Sequence, residues 1–569
     1  IKVVPTVSHG RHVNDWHISV WVKRLSDFLR KPAYSVALGF ILLSMRAWPR
    51  LVFPDVWNED GVRNLLGFVN HGIYDLVSPD HSYLILVPKI IAFLSASLSL
   101  THYPILSTVL AWGFILYVYC SIATAPLVLK GNALMACLMF LIPMSPEVYG
   151  LPLYTFWWVA MLVMIMPFYK PEELIKTRLC HAVLGFLSSP ICFIVLPLLW
   201  LRAFYLRNSR SEILVAFVST GLAAWQALAM YLDNIAPETV PFRWDSLYAV
   251  IPKFFGGLLT GNFTHDYLWE SGLLVLAMVL TVLYSLRSEW TIWALVYLLV
   301  ATIFVALLRS DVEQIDAGLA APRYFFYPFT LTFWIFTQYL ILAGESRISR
   351  KIVLSVLMVS IANAAPVLYR KHEPLYWSEQ LLSCTHYPEY SLPVHRDGFA
   401  SHAMRISLTG DQCRKLLSED GLKALSSQTF AYRVLPYDPD SAVHMVTVGA
   451  SQILPGNQWT GSDADHSVLP GFKVYGSYIK SSIDKGSMTI RMRKGDKILY
   501  RPGPLVKRQT IEVIGSDFMK ASTVGNHYWN VWVVLDFSND MLPDVFDVRF
   551  SDDRDTDGAW SAVAVLGKR

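Results

Sequence analysis

Two adjacent carboxylates, Glu59 and Asp60, form the most chemically suggestive pair in the sequence, within the run Trp57-Asn58-Glu59-Asp60-Gly61. Beside a membrane surface, such a pair could take a proton from an attacking hydroxyl, hold a divalent cation such as Mg²⁺ or Mn²⁺, or do both. The alternative role is structural, because acidic residues stabilise the first turn of a following helix. Taken alone, the pair favours the structural role. The catalytic or metal-binding role becomes the favoured one only when the other polar residues of the outer segments are considered with it.

Further charged side chains lie where apolar segments begin or break. Arg323 precedes Tyr324 at the start of one such segment, and a charge that close to hydrocarbon needs an anionic partner. A lipid-linked phosphate and an ordinary headgroup are equally good candidates, and Lys89 presents the same choice. Glu147 lies beside a short broken helix, where it could serve a site or face solvent. The residues of the first long loop that can bind hydroxyls are His71, Asp80, His81 and Tyr83.

The composition is that of a membrane protein. Of the 569 residues, 54% are hydrophobic and 16% are charged, whereas ordinary soluble domains contain roughly 25% charged residues. The net charge is only +4, and no basic tail is present. This argues against a nucleic-acid partner, because proteins that bind nucleic acids usually cluster Lys and Arg on one face.

Apolar segments of spanning length recur along the first two thirds of the chain. A crossing needs about 20 mostly apolar residues, with shorter ones allowed where helices break inside the protein, and we predict about eleven crossings on that rule. A break is expected at Ser188-Ser189-Pro190, where two half-crossings meet, because proline interrupts a helix. The predicted crossings are 33–53, 104–129, 132–145, 152–168, 179–190, 191–203, 213–232, 270–286, 290–308, 323–343 and 352–368.

The distribution of positive charge indicates the orientation. With the N-terminus inside, every turn assigned to the cytoplasm carries Lys or Arg, as the positive-inside rule requires. Eleven crossings are consistent with this orientation only if residues 84–100 do not cross the membrane. We predict that they lie along the outer interface, with Lys89 reaching the headgroups. The outer segments are then 54–103, 233–269, 309–322 and 370–569. Most of the loop mass lies on that side, which suggests that the working face is outside.

The last third of the chain changes pattern. From about residue 430, short runs alternate apolar and polar residues between turns, which is typical of a β-sandwich or jelly roll. Its many aromatic residues could stack on sugars, although large side chains on strands more often belong to the core. The predicted divisions are a cytoplasmic segment 1–32, a transmembrane domain 33–369, a mixed connector 370–429 and an extracytoplasmic β-sandwich 430–569.

Two cysteines, Cys384 and Cys413, lie in this polar third. They could form a disulfide in an oxidising compartment, or they could remain free thiols. The sequence contains no CxxC motif and no Cys/His zinc spacing.

The sequence also restricts the donor of any transfer reaction. It contains neither GxxxxGK[ST] nor GxGxxG, the phosphate-binding turns of nucleotide sites. The outer face offers no ATP, so an activated donor there must arrive attached to a molecule that crosses the bilayer. A polyprenyl-phosphate sugar meets that requirement.

These features resemble the integral-membrane glycosyltransferases of GT-C fold that use polyprenyl-phosphate sugars. The resemblance rests on the acidic pair after the first span, the long first outer loop, the many spans of uneven length and the outer C-terminal domain. It covers the chain to about residue 370. The motifs Trp57-Asn-Glu-Asp-Gly, Ser82-Tyr83 with Pro88-Lys89, Ser145-Pro146-Glu147, Ser188-Ser-Pro and Arg323-Tyr324 resemble a bacterial group of GT-C-like proteins with a Glu-Asp-Gly motif in the first outer loop.

The resemblance implies roles for particular residues. An acid in the first outer loop of this superfamily serves as catalytic base, often near a metal, which implies Asp60 as base and Glu59 as an assisting or metal-binding residue. Donor-phosphate contacts would fall to Arg323 and Lys89. Other residues expected at the donor site are Tyr324, Tyr83, His81 and Glu147. The resemblance also implies a bacterial cytoplasmic membrane protein.

The expected function is therefore transfer of a sugar from a polyprenyl-phosphate donor to a glycan, lipid or protein acceptor, by an inverting single displacement. A transporter or flippase of a lipid-linked saccharide is an alternative, although no convincing internal repeat is present. A polysaccharide polymerase or ligase using diphosphate-linked oligosaccharides shares the outer site, and a glycan-binding surface scaffold is a further alternative. The sugar, a hexose or a pentose such as arabinofuranose, stays open, as does the acceptor.

Overall fold

The computed structural model describes most of the helical body and part of the C-terminal region. His81, most of the predicted segment 1–32 and residues 419–429 of the predicted connector lie outside the described ranges. The described residues are 24, 27–29, 31–80, 83–171, 173–233, 244, 246–260, 267–311, 313–318, 321–342, 347–368, 377–385, 389–392, 394–396, 399–400, 406–418, 430–437, 447–459, 462, 471–479, 482–483, 486–503, 509–518, 520, 532–552 and 560–567.

Helices dominate the chain up to residue 368. Seven apolar helical segments within the described ranges are long enough to cross a membrane. The helices are α1 (Pro32–Val52), α2 (Leu66–His71), α3 (Leu86–Leu98), α4 (Tyr103–Thr124), α5 (Asn132–Leu138), α6 (Thr155–Met164), α7 (Ile175–Phe186), α8 (Cys192–Tyr205), α9 (Arg210–Leu232), α10 (Ser246–Val250), α11 (Gly257–Thr260), α12 (Leu268–Ser285), α13 (Trp290–Arg309), α14 (Phe326–Leu342), α15 (Arg347–Ala364), α16 (Trp377–Cys384) and α17 (Gly410–Ser418).

Each of the seven long segments coincides with a predicted crossing. The other four predicted crossings fall on α5 to α8, which are between 7 and 14 residues long. At about 1.5 Å per residue, none of these four can span a hydrocarbon core of about 30 Å alone. The predicted break at Ser188-Ser189-Pro190 is confirmed, because α7 ends before it and α8 begins after it.

The helices differ in how deeply they are buried. In the segment Pro322–Leu342, which contains α14, 89% of the most apolar 18-residue stretch is buried. The corresponding stretches of α9 and α12 are only 28% buried. A helix that is apolar all round and buried belongs to the interior of the bundle, and helices with exposed apolar faces suit contact with lipid. The protein is a polytopic α-helical membrane protein, as the composition predicted.

The chain divides into two compact units. Unit 1 contains Ile1–Val52, Asn70–Phe93 and Ser107–Lys371, and unit 2 contains Phe53–Val69, Leu94–Leu106 and His372–Arg569. Most of α2 and the start of α4 therefore belong with the C-terminal third.

The sheets of unit 2 are antiparallel throughout. A five-stranded sheet has the order β5-β12-β10-β14-β6, and a three-stranded sheet has the order β11-β13-β9. The strands are β1 (Glu389–Leu392), β2 (His395–Arg396), β3 (Phe399–Ala400), β4 (Ile406–Thr409), β5 (Arg433–Pro436), β6 (Phe472–Gly476), β7 (Tyr478–Ile479), β8 (Ser482–Ile483), β9 (Gly486–Arg493), β10 (Lys497–Pro502), β11 (Gln509–Val513), β12 (Val533–Asp536), β13 (Val545–Asp552) and β14 (Ser561–Leu566).

These two sheets share one hydrophobic core. Tyr500 and Val563 of the five-stranded sheet belong to the same buried cluster as Ile490 and Phe550 of the three-stranded sheet. Two antiparallel sheets that face each other across one core form a β-sandwich, so the C-terminal sheet domain is confirmed.

Several large aromatic residues in the described part of the sandwich belong to its interior. Five aromatic residues of this region are less than a tenth exposed: Trp459, Tyr475, Tyr500, Trp532 and Trp560. A ring must present an open face to stack on a sugar, and these rings do not. Carbohydrate binding by other residues of the sandwich stays a prediction.

Of the two alternatives for Cys384 and Cys413, a disulfide or free thiols, the structure has the disulfide, which joins the end of α16 to α17. It closes a loop that contains β1 and β4, which pair with each other. The cross-link therefore ties together the part of unit 2 that precedes the sandwich.

Candidate functional site

Asp60 begins a π-helical segment, Asp60–Leu65, a few residues after α1 ends. Its side chain is buried, with 1% of the residue exposed. The side-chain amide of Asn64, four residues further on, donates a hydrogen bond of 2.9 Å to Oδ1 of Asp60. Short π-helical segments are rare and frequently occur at functional sites. The structure thus gives the predicted catalytic residue a fixed orientation in an unusual stretch of backbone.

Other buried polar groups belong to the same unit as Asp60. Within the described part of the chain, Asn58 Oδ1, Asn64 Oδ1 and the Tyr103 hydroxyl have no hydrogen-bond partner. An unsatisfied buried polar group costs about 1–3 kcal/mol. A ligand hydroxyl, which can both donate and accept, would satisfy groups of this kind.

Glu59 lies beside a basic side chain. Its carboxylate is 3.8 Å from the guanidinium of Arg63, and both side chains are partly buried. Within the described ranges, no three His, Cys, Asp or Glu side chains lie together in a way that could hold a metal ion. The donors present do not fit a metal centre by themselves, and we derive no reaction step through a metal.

Gly61 completes the Glu-Asp-Gly run at a point of close packing. A Cβ atom at this position would lie 2.7 Å from a methyl group of Ile406 and 2.8 Å from one of Val394. Ile406 begins β4, and Val394 immediately precedes β2. Glycine is required here because the backbone beside Asp60 packs directly against these side chains.

In unit 1, Arg323, Glu147 and Tyr154 form a connected group. Nη1 of Arg323 lies 2.9 Å from Oε1 of Glu147, and the Tyr154 hydroxyl donates to the same oxygen at 2.6 Å. Arg323 also donates to the Tyr154 oxygen at 3.3 Å. Arg323 lies in the turn that leads into α14. The structure thus brings two predicted residues, Arg323 and Glu147, into contact through an ion pair.

The segment that carries Glu147 is held by arginines of α1. Arg46 donates to the carbonyl of Met144 at 2.5 Å, and Arg50 donates to the carbonyl of Pro146 at 3.0 Å. The two arginines are one helical turn apart, and both are buried. Backbone carbonyls in a non-helical segment between apolar helices need donors. The first helix therefore fixes the position of the Glu147 carboxylate.

Lys89 is turned inward rather than toward lipid. Its ammonium group lies 2.9 Å from Oδ1 of Asp75 and also donates to the carbonyls of Asp75 and Ser78. Because the group has three N–H donors and all three have acceptors, contact with a phosphate would require one of these bonds to open. The expectation that Lys89 reaches the headgroups is wrong for this conformation, because burial with Asp75 satisfies its charge internally.

Tyr83 and Tyr324 both contact Arg309, a residue that the sequence interpretation missed. The Arg309 guanidinium lies 5.7 Å from the centre of the Tyr83 ring. The Tyr324 hydroxyl lies 3.5 Å from the Arg309 carbonyl oxygen. Arg309 ends α13, directly after the predicted crossing 290–308, so a charged residue at the end of a span was the signal that could have identified it. Tyr154, which was also missed, carries no such signal in the sequence.

The predicted site residues thus form two groups, one in each unit. Glu59 and Asp60 belong to unit 2. The described donor-site candidates all belong to unit 1: Tyr83, Lys89, Glu147, Arg323 and Tyr324.

Comparisons with known proteins find a likeness to solved structures. No family model matches the sequence, and no curated protein matches it. The matching solved structures include the cryo-EM structure of arabinosyltransferase EmbB from Mycobacterium smegmatis, with 12% sequence identity and a TM-score of 0.27. The match covers 93% of this chain but 64% of that one, so the chain spans less than two thirds of the EmbB chain. A likeness at this TM-score does not establish a common fold.

Proposed function

We propose that the protein is a glycosyltransferase of GT-C type that moves a sugar from a polyprenyl-phosphate donor to an acceptor hydroxyl. The reaction would take place on the extracytoplasmic face of the bacterial cytoplasmic membrane. The observation that carries the proposal is the buried Asp60 carboxylate, oriented by Asn64 in a π-helical segment directly after the first membrane helix.

Asp60 acts as the general base in this mechanism. The acceptor O–H gives its proton to the carboxylate as its oxygen attacks the anomeric carbon of the donor. A new carbon–oxygen bond forms on one face of the sugar, and the bond to the phosphate oxygen breaks on the other. The polyprenyl phosphate leaves with that electron pair, so a single displacement inverts the anomeric configuration.

The negative charge that grows on the departing phosphate requires positive charge nearby. We assign that role to the basic side chains where α13 ends and where the turn into α14 begins, with Arg323 and Tyr324 as hydrogen-bonding contacts of the phosphate. On the orientation predicted from the positive charges, these helix ends and the loop that carries Asp60 all face the extracytoplasmic side. A divalent cation would add to this positive charge, but the described side chains do not by themselves form a site for one.

The C-terminal third supports the extracytoplasmic assignment. The disulfide between Cys384 and Cys413 suits an oxidising compartment, because such bonds are rare in the cytosol. The basic residues of the predicted inner turns support the same orientation.

A reconstituted transfer assay tests the proposal. The purified full chain in lipid vesicles would be supplied with polyprenyl-phosphate hexoses and pentoses, including arabinofuranose, and in a parallel arm with diphosphate-linked oligosaccharides. We expect transfer from the monophosphate donors, and a reduction of about 10²–10⁴-fold for Asp60→Asn, which removes the base without changing its size.

The matched control is Asp547→Asn. Asp547 pairs with Arg491 across β13 and β9 on a partly exposed surface of the sandwich, so its replacement should leave transfer unchanged. Near-wild-type turnover by Asp60→Asn would overturn the assignment. Transfer from diphosphate-linked donors alone would favour a polymerase or ligase instead.

A further inference from the structure

Two of the basic residues considered for donor binding already have their charge balanced within unit 1. The guanidinium of Arg323 lies 2.9 Å from Glu147, and the ammonium group of Lys89 lies 2.9 Å from Asp75. Each pair carries no net charge, so neither adds net positive charge to attract an anion.

Arg309 differs from both. Its guanidinium lies over the Tyr83 ring at 5.7 Å, and among the described residues it forms no ion pair and donates no hydrogen bond. The side chain is half-buried, which removes part of the water that would otherwise solvate it. Arginine carries five N–H donors in a planar fork that matches phosphate oxygens. An anionic ligand is therefore the natural complement to this residue.

Four aromatic residues near Arg309 contact one another in series, and we call them the aromatic circuit: Tyr83, Phe156, Trp157 and Tyr324. The Tyr83 ring lies 6.3 Å from Phe156, Phe156 lies 5.5 Å from Trp157, and Trp157 lies 5.8 Å from Tyr324. The Tyr324 hydroxyl lies 3.5 Å from the carbonyl oxygen of Arg309, so the series of contacts begins and ends at Arg309. Flat apolar rings beside one uncompensated guanidinium suit a ligand that is part lipid and part phosphate.

Trp157 supplies a second, independent indication of a ligand. Its indole N–H is buried and has no acceptor within the described part of the chain, and the residue is 9% exposed. Buried indole N–H groups usually find a hydrogen-bond partner. An oxygen of a bound ligand would provide the missing acceptor within the aromatic circuit.

We propose that Arg309 is the residue that supplies uncompensated positive charge to the phosphate of the polyprenyl carrier, with the aromatic circuit beside it. This inference rests on the proposed function and deepens it. Arg323 then orders Glu147 and Tyr154 and adds no net charge. No carboxylate balances Arg309 among the described residues, so its full charge is available to the leaving phosphate.

Ordinary phospholipids carry the same phosphate chemistry. An arginine at the C-terminal end of a helix also interacts favourably with the helix dipole and can reach lipid headgroups. If Arg309 interacted only with the helix dipole or with headgroups, the buried Trp157 N–H would have no acceptor. The aromatic circuit would then have no part in binding. The polyprenyl carrier is therefore the favoured source of the phosphate, and a competition experiment separates the two.

Arg287 provides a matched control. It lies over the ring of Tyr284 at 5.1 Å, in the short connection between α12 and α13, so it has the same local contact as Arg309. The two arginines lie at opposite ends of the 20-residue helix α13, about 30 Å apart along its axis. Arg287→Gln therefore removes an arginine–tyrosine contact without touching the aromatic circuit.

The test measures binding of undecaprenyl phosphate, without sugar, to the full chain in phosphatidylcholine nanodiscs by native mass spectrometry. We expect Arg309→Gln to weaken binding by about ten- to a hundredfold, Arg309→Lys to restore part of it, and Arg287→Gln to leave it unchanged. Asp60→Asn should bind the carrier like the wild type, because the base acts on the acceptor. Thermal unfolding of each variant establishes that it is folded.

Three outcomes would overturn the inference. Wild-type binding that Arg309→Gln does not weaken would remove the role of Arg309 while leaving the proposed function intact. In another outcome, phosphatidylglycerol competes with undecaprenyl phosphate as well as the carrier itself does, and Arg309→Gln weakens the binding of both lipids equally. That result would show that Arg309 binds ordinary headgroups. Absence of undecaprenyl phosphate binding by the wild type would remove both the inference and the proposed function.

Discussion

The side-chain amide of Asn64 donates a hydrogen bond to Oδ1 of Asp60 over 2.9 Å within one π-helical segment. This bond fixes the direction in which the carboxylate presents its oxygens. Asn64 is fully buried, so the orientation does not depend on solvent. It is a positioning residue for the proposed base.

Replacing Asn64 should therefore change the chemical step more than donor binding. We expect Asn64→Ala to lower kcat by about tenfold, the equivalent of one lost hydrogen bond to a charged group, with little change in KM for the donor. Steady-state transfer kinetics measure both quantities. A rise in KM at unchanged kcat would show that Asn64 supports binding and does not position Asp60.

The arginines of α1 should be important for stability. Arg46 is 1% exposed, donates to the carbonyls of Ile142 and Met144, and lies over the Tyr149 ring at 4.3 Å. Arg46→Leu removes these donors and leaves the Met144 carbonyl without its hydrogen bond, at about 1–3 kcal/mol, whereas the Ile142 carbonyl keeps the backbone N–H of Met144. We expect a clearly lowered thermal unfolding midpoint in detergent.

The control for that measurement is Arg287→Leu, which changes an exposed arginine in a short connection. Its unfolding midpoint should stay close to the wild-type value, because surface substitutions usually have small effects. A midpoint for Arg46→Leu that equals that of the control would mean that the carbonyls of this segment find other donors.

Removing the charge of Glu147 should strengthen carrier binding. Its carboxylate balances Arg323 at 2.9 Å, so Glu147→Gln leaves a net positive charge beside Tyr324 while keeping an oxygen for the Tyr154 hydroxyl. We expect undecaprenyl phosphate to bind several-fold more tightly, as measured in the same nanodisc assay, and the gain should shrink at high salt. Weaker binding would indicate that the carboxylate itself contacts the carrier or shapes its site.

Chelation tests the contribution of a divalent cation. Among the residues that the structure describes, no three His, Cys, Asp or Glu side chains lie together in a way that could hold a cation. We expect EDTA treatment followed by dialysis to leave transfer by the wild type nearly unchanged. Loss of activity that Mg²⁺ or Mn²⁺ restores would show that substrate groups complete a metal site with these acids.

The sequence predicted the elements better than the contacts. Hydropathy identified all seven long apolar segments in the described ranges, and alternation identified the sheet domain from about residue 430, because both depend on local periodicity. The predicted crossing 132–145 contains only the short α5. Its remainder is an irregular segment whose carbonyls at Ile142 and Met144 accept hydrogen bonds from Arg46, and such tertiary donors leave no local signal.

The site shows the same distinction. Residue types indicated that Lys89, Arg323 and Glu147 could bind charged groups, but not which of them already had partners. No local pattern links Asp75 to Lys89, and only folding brings the two side chains together. Arg309 was overlooked because a charge at the end of a span is common, and its uncompensated state is visible only when its neighbours are known.

The packing of Gly61 against Ile406 and Val394 means that the Glu-Asp-Gly run is supported by chain that lies far away in the sequence. Two truncations are then not equivalent. A chain that ended just before the sandwich would retain the hydrophobic surface behind the acidic motif. One that ended with the last membrane helix would keep every spanning segment yet leave that motif without its supporting wall. The region between membrane body and sandwich is thus an architectural component of the Asp60 site rather than a tether.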